Sequence, residues 1–246
     1  MLTARDLSVR RGRRTVLTGV SLDLALGTVT HLGGANGAGK TSLLRVLGGL
    51  ARAASGTLVR PGATAFVPER VALVPALPCG EWLAGMRRLR RLAPVDWGEA
   101  VRACGLDEAI LPRRSATLSK GMLQRIAILE AVRAEGALLL LDEPFAGLDA
   151  DGRAWLGAEI GAGRTVLFTD HSGAAGIASD ARLRIQDGTC VAEPSPPRAP
   201  AVRIRAVRGG ETLTQRVPAA AGDDLLRALL EAGWHIEGVE PCATSS

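Results

Sequence analysis

The chain has 246 residues, of which 47% are hydrophobic and 3% aromatic, and its formal net charge is +5. This length can bury a substantial core, so a folded protein of enzyme size is expected and a disordered tail is excluded. No apolar stretch approaches the roughly 20 residues that a spanning helix needs, and no apolar signal segment follows the N-terminus. The four cysteines are scattered, without a Cys-x-x-Cys pair or a His/Cys cluster, so we interpret them as reduced thiols of a cytosolic chain.

Arginine is concentrated in two short runs, at residues 10–14 and 87–91. The simplest interpretation is a solvated face, and the alternatives are contact with anionic lipid headgroups or with nucleic acid. Because no aromatic residues are interleaved for base stacking, single-strand binding is disfavoured and we expect no nucleic-acid partner.

The first half of the chain alternates short strands with helices. Strands are predicted at Leu2–Leu7, Thr15–Leu26 and Thr28–Leu32, a helix from about Gly39 to Leu50 whose buried stripe includes Leu50, and a hairpin at Thr57–Val67 broken at Pro61–Gly62. Residues 79–134 are predicted to be mostly helical, with interruptions near Pro94 and Pro112. Ala137–Leu141 and Thr165–Phe168 are continuous apolar runs, typical of parallel strands buried on both faces. This alternation predicts an α/β fold with a mostly parallel sheet.

The composition of the sequence changes near Ala192. Residues 193–200 form a proline-rich linker, which is stiff and not helical. Beyond it, residues 201–246 predict a small β-β-α-β appendage with strands at Val202–Val207, Thr212–Val217 and Trp234–Val239 and a helix at Gly222–Ala232.

A glycine-rich loop carries the first specific motif. Residues 34–41 match G-x-x-x-x-G-K-[ST] in full, between a predicted strand and a predicted helix, which disfavours a chance glycine-rich turn. Glycines let backbone N–H groups point at a polyphosphate, and the helix N-terminus adds its positive dipole. Lys40 is placed for the β/γ oxygens and Thr41 for Mg²⁺. The predicted nucleotide-binding residues are Gly34, Ala35, Asn36, Gly37, Ala38, Gly39, Lys40, Thr41 and Ser42.

Two acids end the apolar run at 137–141. Asp142 is predicted to help hold Mg²⁺ from outside its direct ligands or through water, and Glu143 to orient or deprotonate the attacking water. Ordinary solvation of a strand end is the alternative, which the phosphate loop disfavours. His171 follows the apolar run at 165–168 and is predicted to be a catalytic residue that senses the γ-phosphate; a purely structural histidine is the alternative.

Two further segments resemble the nucleotide-binding domain of ATP-binding cassette (ABC) transporters. Leu118-Ser-Lys-Gly-Met122 is similar to the family signature Leu-Ser-Gly-Gly-Gln and lies upstream of the Asp-Glu pair at the usual spacing. Ala146-Gly-Leu-Asp149 resembles the loop that touches the partner subunit. The resemblance covers residues 1–192 and implies a P-loop NTPase with an antiparallel β subdomain and a helical subdomain at about 70–134.

The resemblance also implies a mechanism. Two ATP molecules, with Mg²⁺, would bridge two chains head to tail, as a homodimer or heterodimer of cassettes. The signature of one chain, Ser119, Lys120, Gly121 and Met122, would cap the γ-phosphate held by the other, and Asp149 would contact the partner. Hydrolysis would open the dimer and drive a separate membrane permease, with the chain peripheral at the inner face of the membrane. Export is implied by the form of the signature and by the C-terminal extension.

Four positions, in three places of the sequence, depart from the family pattern. Lys120 and Met122 replace the usual Gly and Gln of the signature, while Ser119 and Gly121 are retained. Glu69 stands where the family has Gln; it can reach Mg²⁺ or water, but it adds negative charge. Arg11 stands where an aromatic residue stacks on adenine, and it either stacks through its guanidinium or is solvated. We expect looser base selectivity.

Two other functions compete with transport. A soluble ABC ATPase acting on a macromolecular assembly is disfavoured because the chain has neither a long coiled-coil insertion nor a second cassette. A regulator without turnover is disfavoured by Lys40, Asp142, Glu143 and His171. Trp82, in the helical subdomain, is interpreted either as an interface anchor or as core.

Overall fold

A computed structural model shows how these segments assemble. It describes residues 1–60, 62–134, 136, 138–161, 163–170, 179–194, 201–209, 211–218 and 222–241. The predicted γ-phosphate sensor His171 lies outside the described residues. Among these residues, no helix combines the length and the hydrophobicity that a membrane-spanning segment needs.

A six-stranded sheet forms the centre of the fold. Its strands are β3 (Val29–Gly34), β5 (Thr64–Val67), β6 (Leu138–Leu141), β7 (Val166–Thr169), β8 (Ala181–Gln186) and β9 (Thr189–Glu193). Their order is β5-β6-β7-β3-β8-β9; all neighbours are parallel except β8 and β9. Every residue of β6 and β7 is buried, which confirms the interpretation of the two apolar runs. The closing pair β8 and β9 was not predicted, because its burial is only partial and it carries no apolar run.

A three-stranded antiparallel sheet is built from the N-terminal part of the chain. Its order is β2-β1-β4, with β1 at Leu2–Arg11, β2 at Arg14–Leu24 and β4 at Ser55–Val59. The predicted hairpin at Thr57–Val67 is therefore wrong. β4 pairs with β1, whereas β5 pairs in parallel with β6, so the two strands belong to different sheets. The pattern of two short strands around turn residues could not show this, because pairing partners lie far away in sequence.

Helices cover the central sheet and form a separate helical cluster. They are α1 (Lys40–Leu47), α2 (Cys79–Leu89), α3 (Trp97–Ala103), α4 (Lys120–Val132) and α5 (Ala150–Gly161), with short 3-10 helices at Glu108–Ile110 and Ser115–Thr117. The assignment of Leu50 to the buried stripe of α1 is wrong. The helix ends at Leu47 and Gly49 has a φ of 75°, so Leu50 leaves the helical period and is 56% exposed.

Three hydrophobic clusters hold this part of the chain together. One lies between α1, the antiparallel sheet and one face of the central sheet, and a second lies on the opposite face under α4 and α5. The third joins α2, α3 and α4, and the partly buried Trp82 packs against it. This contact favours the interpretation of Trp82 as core.

The C-terminal residues form the predicted β-β-α-β unit. It consists of β10 (Ala201–Arg208), β11 (Glu211–Pro218), α6 (Gly222–Glu231) and β12 (His235–Pro241) in a sheet of order β11-β10-β12. Ile204, Ala206 and Leu229 make its small core. Most of the linker predicted at 193–200 lies outside the described residues, and the domain boundaries there stay a prediction.

Candidate functional site

The glycine-rich loop connects the end of β3 to the start of α1. Gly34 has a φ of 138°, and a Cβ there would lie 2.9 Å from the carbonyl oxygen of Ile185, so the position requires glycine. Lys40 is 6% exposed, and its Nζ donates to the carbonyl oxygens of Gly34 at 2.7 Å and Ala35 at 3.3 Å. The lysine therefore folds back across the loop and holds its cation at the place where a polyphosphate would lie.

A cleft of about 600 Å³ opens over this loop, and we call it the phosphate-loop cleft. Its volume suits a nucleotide-sized ligand. It is lined by Arg10, Arg11, Gly12, Val16, Ala35, Asn36, Gly37, Gly39, Lys40, Thr41, Ser42, Arg45, Ala51, Glu69, Asp142 and Glu143. The structure thus brings most of the predicted loop residues together with Arg11, Glu69 and the Asp-Glu pair.

A chain of hydrogen bonds orders the acidic end of the cleft. Thr41 Oγ1 donates to Asp142 Oδ2 at 2.6 Å, and Thr169 Oγ1 donates to Asp142 Oδ1 at 2.9 Å. The backbone N–H of Glu143 donates to Thr169 Oγ1 at 2.9 Å. Asp142 is 2% exposed and Glu143 6% exposed. The Asp142 carboxylate is therefore held between Thr41 in the first turn of α1 and Thr169 at the end of β7, and the backbone of Glu143 is tied to Thr169 as well.

Glu143 has a backbone conformation that residues other than glycine rarely adopt. Its φ is 51°, in the left-handed region, which is uncommon for a residue other than glycine. Such strain costs of order 1–3 kcal/mol and persists only where the surroundings enforce it. Here the bond from its N–H to Thr169, and the bond from the Ala146 N–H to its carbonyl oxygen at 3.1 Å, fix the peptide on both sides.

The oxygen atoms at the acidic end of the cleft suit Mg²⁺. A hydroxyl and a carboxylate from Thr41 and Asp142 converge within 2.6 Å of each other, and both are hard oxygen donors. Mg²⁺ usually takes one or two such protein oxygens and completes its octahedron with water and phosphate oxygens. The donor set fits that requirement.

The signature segment lies away from the cleft of its own chain. Ser119 is the N-cap of α4 and accepts from the Met122 N–H at 3.2 Å. Ser119 and Lys120 are exposed, and none of the four residues 119–122 lines the cleft. The segment therefore offers a helix N-terminus to a ligand or partner that comes from outside the chain.

Asp149 caps the next helix and is tied to the signature helix. Its Oδ1 accepts from the Gly152 N–H at 2.9 Å and pairs with the guanidinium of Arg125, which lies on α4. These two donors, the Gly152 N–H first, lower the pKa of Asp149 below its ordinary value. A Cβ on Gly121 would lie 3.0 Å from the carbonyl oxygen of Gly147, so the signature and the Asp149 loop are in direct contact.

The structure adds residues that the sequence did not single out. Thr169 bonds both acids, and Arg10 and Arg45 line the cleft beside Arg11. The sequence did carry a signal for Thr169, because it is a polar residue at the C-terminal end of a buried parallel strand. Arg45 could be found only from its position on α1 once the helix was in place.

Comparisons with known proteins agree with this geometry. The sequence model of the family described as ABC transporter matches residues 17–146. A cytochrome c biogenesis ATP-binding export protein CcmA of Gluconobacter oxydans is 40% identical over 175 residues, which cover 70% of this chain and 81% of the relative. A zinc import ATP-binding protein ZnuC of Cereibacter sphaeroides is 40% identical over 159 residues, 63% of this chain and 63% of its own length, so this chain spans less than two thirds of it.

Solved structures show the same fold. The ATP binding subunit of an ABC transporter is 25% identical with a TM-score of 0.73, and the match covers 79% of this chain and 90% of that one. A dimeric ATP-binding cassette in a post-hydrolysis state with ADP and Pi has a TM-score of 0.69 at 20% identity, over 80% of this chain and 99% of that one. The expected P-loop NTPase fold, with its mostly parallel central sheet, is confirmed.

Proposed function

Because this chain belongs to the ABC transporter family and is an ATP-hydrolysing subunit of that family, we propose that it works with a separate membrane permease. Two cassettes, as a homodimer or heterodimer, close around two ATP molecules, and hydrolysis lets them open and drives transport. The observation that carries this proposal is the phosphate-loop cleft, where Lys40, Thr41, Asp142 and Glu143 converge. The chain would lie at the cytoplasmic face of the membrane through its permease.

The cleft residues divide the chemistry between them. The N–H groups of residues 34–42 and the Lys40 ammonium bind the phosphates. Thr41 and Asp142 would hold Mg²⁺, and Glu69 would reach Mg²⁺ or water. When bound, Mg²⁺ neutralises charge that develops on the phosphate oxygens. Glu143 orients the attacking water and accepts its proton. The water oxygen forms a bond to the γ-phosphorus as the bond to the β–γ bridging oxygen breaks, which gives ADP and phosphate.

The other half of the site comes from the partner cassette. Ser119 and the N–H groups of Lys120 and Gly121 form a helix N-terminus that its own cleft does not use, and the Met122 N–H is bonded to Ser119. An anion is stabilised at such a terminus. We assign this surface to the γ-phosphate in the partner's cleft, with Asp149 in contact with the partner and His171 as the γ-phosphate sensor.

Export is the direction that we propose. The support is the signature form Leu-Ser-Lys-Gly-Met, the C-terminal β-β-α-β unit, and similarity to CcmA, which is named an export protein. The similarity to ZnuC, which is named a zinc import protein, is comparable in identity. The direction of transport is therefore tested on the complex with the permease and not on the cassette alone.

Glu143→Gln is the variant that tests hydrolysis. It keeps the size of the side chain but removes the base, so we expect turnover to fall at least ~100-fold. ATP and Mg²⁺ should then trap a stable dimer, detected by light scattering. Glu99→Gln is the matched control, because Glu99 is exposed on α3 and does not line the cleft. Normal hydrolysis by Glu143→Gln would remove Glu143 as the base.

The permease is tested by co-expression with a membrane protein encoded beside this chain. We expect co-purification in detergent and ATPase activity that rises on reconstitution into vesicles. If hydrolysis by the isolated cassette is normal and no permease alters it, the soluble ABC ATPase becomes the better hypothesis.

A further inference from the structure

Thr169 connects the two acids of the cleft. It is the last residue of β7, it is completely buried, and its Oγ1 lies 2.9 Å from Asp142 Oδ1 and 2.9 Å from the backbone nitrogen of Glu143. We propose that Thr169 is a positioning residue for hydrolysis, which orients the Asp142 carboxylate and fixes the peptide of Glu143. The proposal rests on the roles proposed above for these two acids.

Strand register explains why Thr169 reaches both acids. β6 and β7 are parallel, and Leu141 pairs with Phe168. One step further along each strand brings Asp142 and Thr169 to the same level. On its other side β7 pairs with β3, where Leu32 is the partner of Thr169. Since β3 leads directly into the phosphate loop, Thr169 lies between the loop strand and the strand of the acids.

The hydroxyl of a threonine can serve both neighbours at once. It has one hydrogen to donate and two lone pairs to accept. Its hydrogen goes to Asp142 Oδ1, and a lone pair accepts the Glu143 N–H. Since Thr41 donates to the other carboxylate oxygen of Asp142, each oxygen has its own hydroxyl donor. The plane of the carboxylate is thereby set before any ligand arrives.

The bond to Glu143 has a different consequence. At a φ of 51° the Glu143 peptide would relax toward the ordinary negative region if its bonds were lost. The N–H to Thr169 is one of the bonds that oppose this relaxation, and the side-chain direction depends on the backbone. Loss of the Thr169 hydroxyl should therefore displace the Glu143 carboxylate, which is proposed to act on the attacking water. A displacement of about 1 Å in a reacting group can cost roughly 100-fold in rate.

Two substitutions separate the hydroxyl from the shape of the side chain. Thr169→Val keeps the branched shape and removes the hydroxyl, whereas Thr169→Ser keeps the hydroxyl. Thr30→Val is the matched control, because Thr30 is 2% exposed on the neighbouring β3 and does not line the cleft. Steady-state ATP hydrolysis and Mg²⁺ titrations are measured on the full chain, with a melting curve for each variant.

We expect Thr169→Val to lower kcat roughly 10- to 100-fold with the ATP KM changed less than about threefold. The half-saturating Mg²⁺ concentration should rise several-fold, because Asp142 loses its orientation. Thr169→Ser should retain at least about a third of kcat, and Thr30→Val should match the wild type. The positioning role would be overturned if the ATP KM of Thr169→Val rose by as large a factor as kcat fell while its Mg²⁺ requirement stayed unchanged.

Thr169→Ser keeps the proposal falsifiable even if Thr169→Val unfolds. A folded Thr169→Ser variant with as little activity as a cleft knockout would overturn it, as would wild-type turnover by a folded Thr169→Val variant. Glu143→Gln, assayed in parallel, tests the proposed function separately. If Glu143→Gln is inactive while Thr169→Val is normal, the Thr169 proposal fails alone. If Glu143→Gln hydrolyses normally, the role of Glu143 as the base fails instead.

Discussion

The two ends of the phosphate-loop cleft are built differently. At the phosphate end, Lys40 and Asp142 are 6% and 2% exposed and are fixed by hydrogen bonds to the loop and to two threonines. At the other end, Arg10, Arg11 and Arg45 are exposed. The contrast favours recognition of the triphosphate by preformed geometry and of the base mainly by exposed cations.

The absence of aromatic side chains from the cleft lining reinforces this contrast. The chain has no Tyr, and its three Phe and four Trp all fall among the residues that the structure describes. None of these seven lines the cleft. Stacking on an aromatic ring contributes about 1–3 kcal/mol per base, with modest preferences that follow stacking strength, so the cleft lacks a contact that would favour the larger purine rings.

Replacement of Lys40 should have the largest effect, because it removes the fixed cation of the phosphate end. We expect Lys40→Ala and Lys40→Arg both to lower ATP hydrolysis roughly 100-fold or more. The longer, forked guanidinium cannot fold onto the Gly34 and Ala35 carbonyls as the buried lysine does. Turnover and melting temperature check this, and an active Lys40→Arg variant would mean that charge alone is sufficient.

The second prediction concerns the signature surface, which is proposed to complete the phosphate end of the partner chain's cleft. Gly121→Ala places a Cβ 3.0 Å from the Gly147 carbonyl oxygen, so the signature or the Asp149 loop must shift. We expect ATP-dependent dimerisation to weaken about tenfold, on the order of 1.4 kcal/mol, while ATP binding by the monomer is unchanged.

Gly85→Ala is the control for the signature variant, since a Cβ on Gly85 meets nothing within 4 Å. Dimerisation is followed by light scattering in the Glu143→Gln background and ATP binding by titration calorimetry. Equal dimerisation of the two alanine variants would contradict the proposed contact in trans.

The smallest effect is expected at the base end. The wild type should hydrolyse ATP, GTP and CTP with kcat/KM values within about tenfold of one another, because stacking is weak. Arg11→Tyr supplies a ring, so it should improve kcat/KM for ATP over CTP by roughly fivefold or more. Arg14→Tyr is the control, since Arg14 is exposed on the same turn but does not line the cleft. A wild type that already rejects CTP would break the contrast between the two ends.

The sequence by itself determined the parts whose chemistry is local. The phosphate loop needs glycines, a lysine and a hydroxyl at fixed spacing, and the buried strands need continuous apolar runs. The signature and the α/β alternation likewise allowed the fold and the ATPase function to be predicted without pairing information. The C-terminal β-β-α-β unit was predicted for the same reason, since alternation along each strand is a local pattern.

Only the tertiary structure decided the contacts that depend on register and sheet membership. It placed β4 and β5 in different sheets, added the β8 and β9 pair, and exposed Leu50 where α1 ends early. It also brought Thr169 to Asp142 across 27 positions of sequence and set Glu143 at a positive φ. Hydrogen bonds between parallel strands join residues that are distant along the chain, so no local pattern of residue types can specify them.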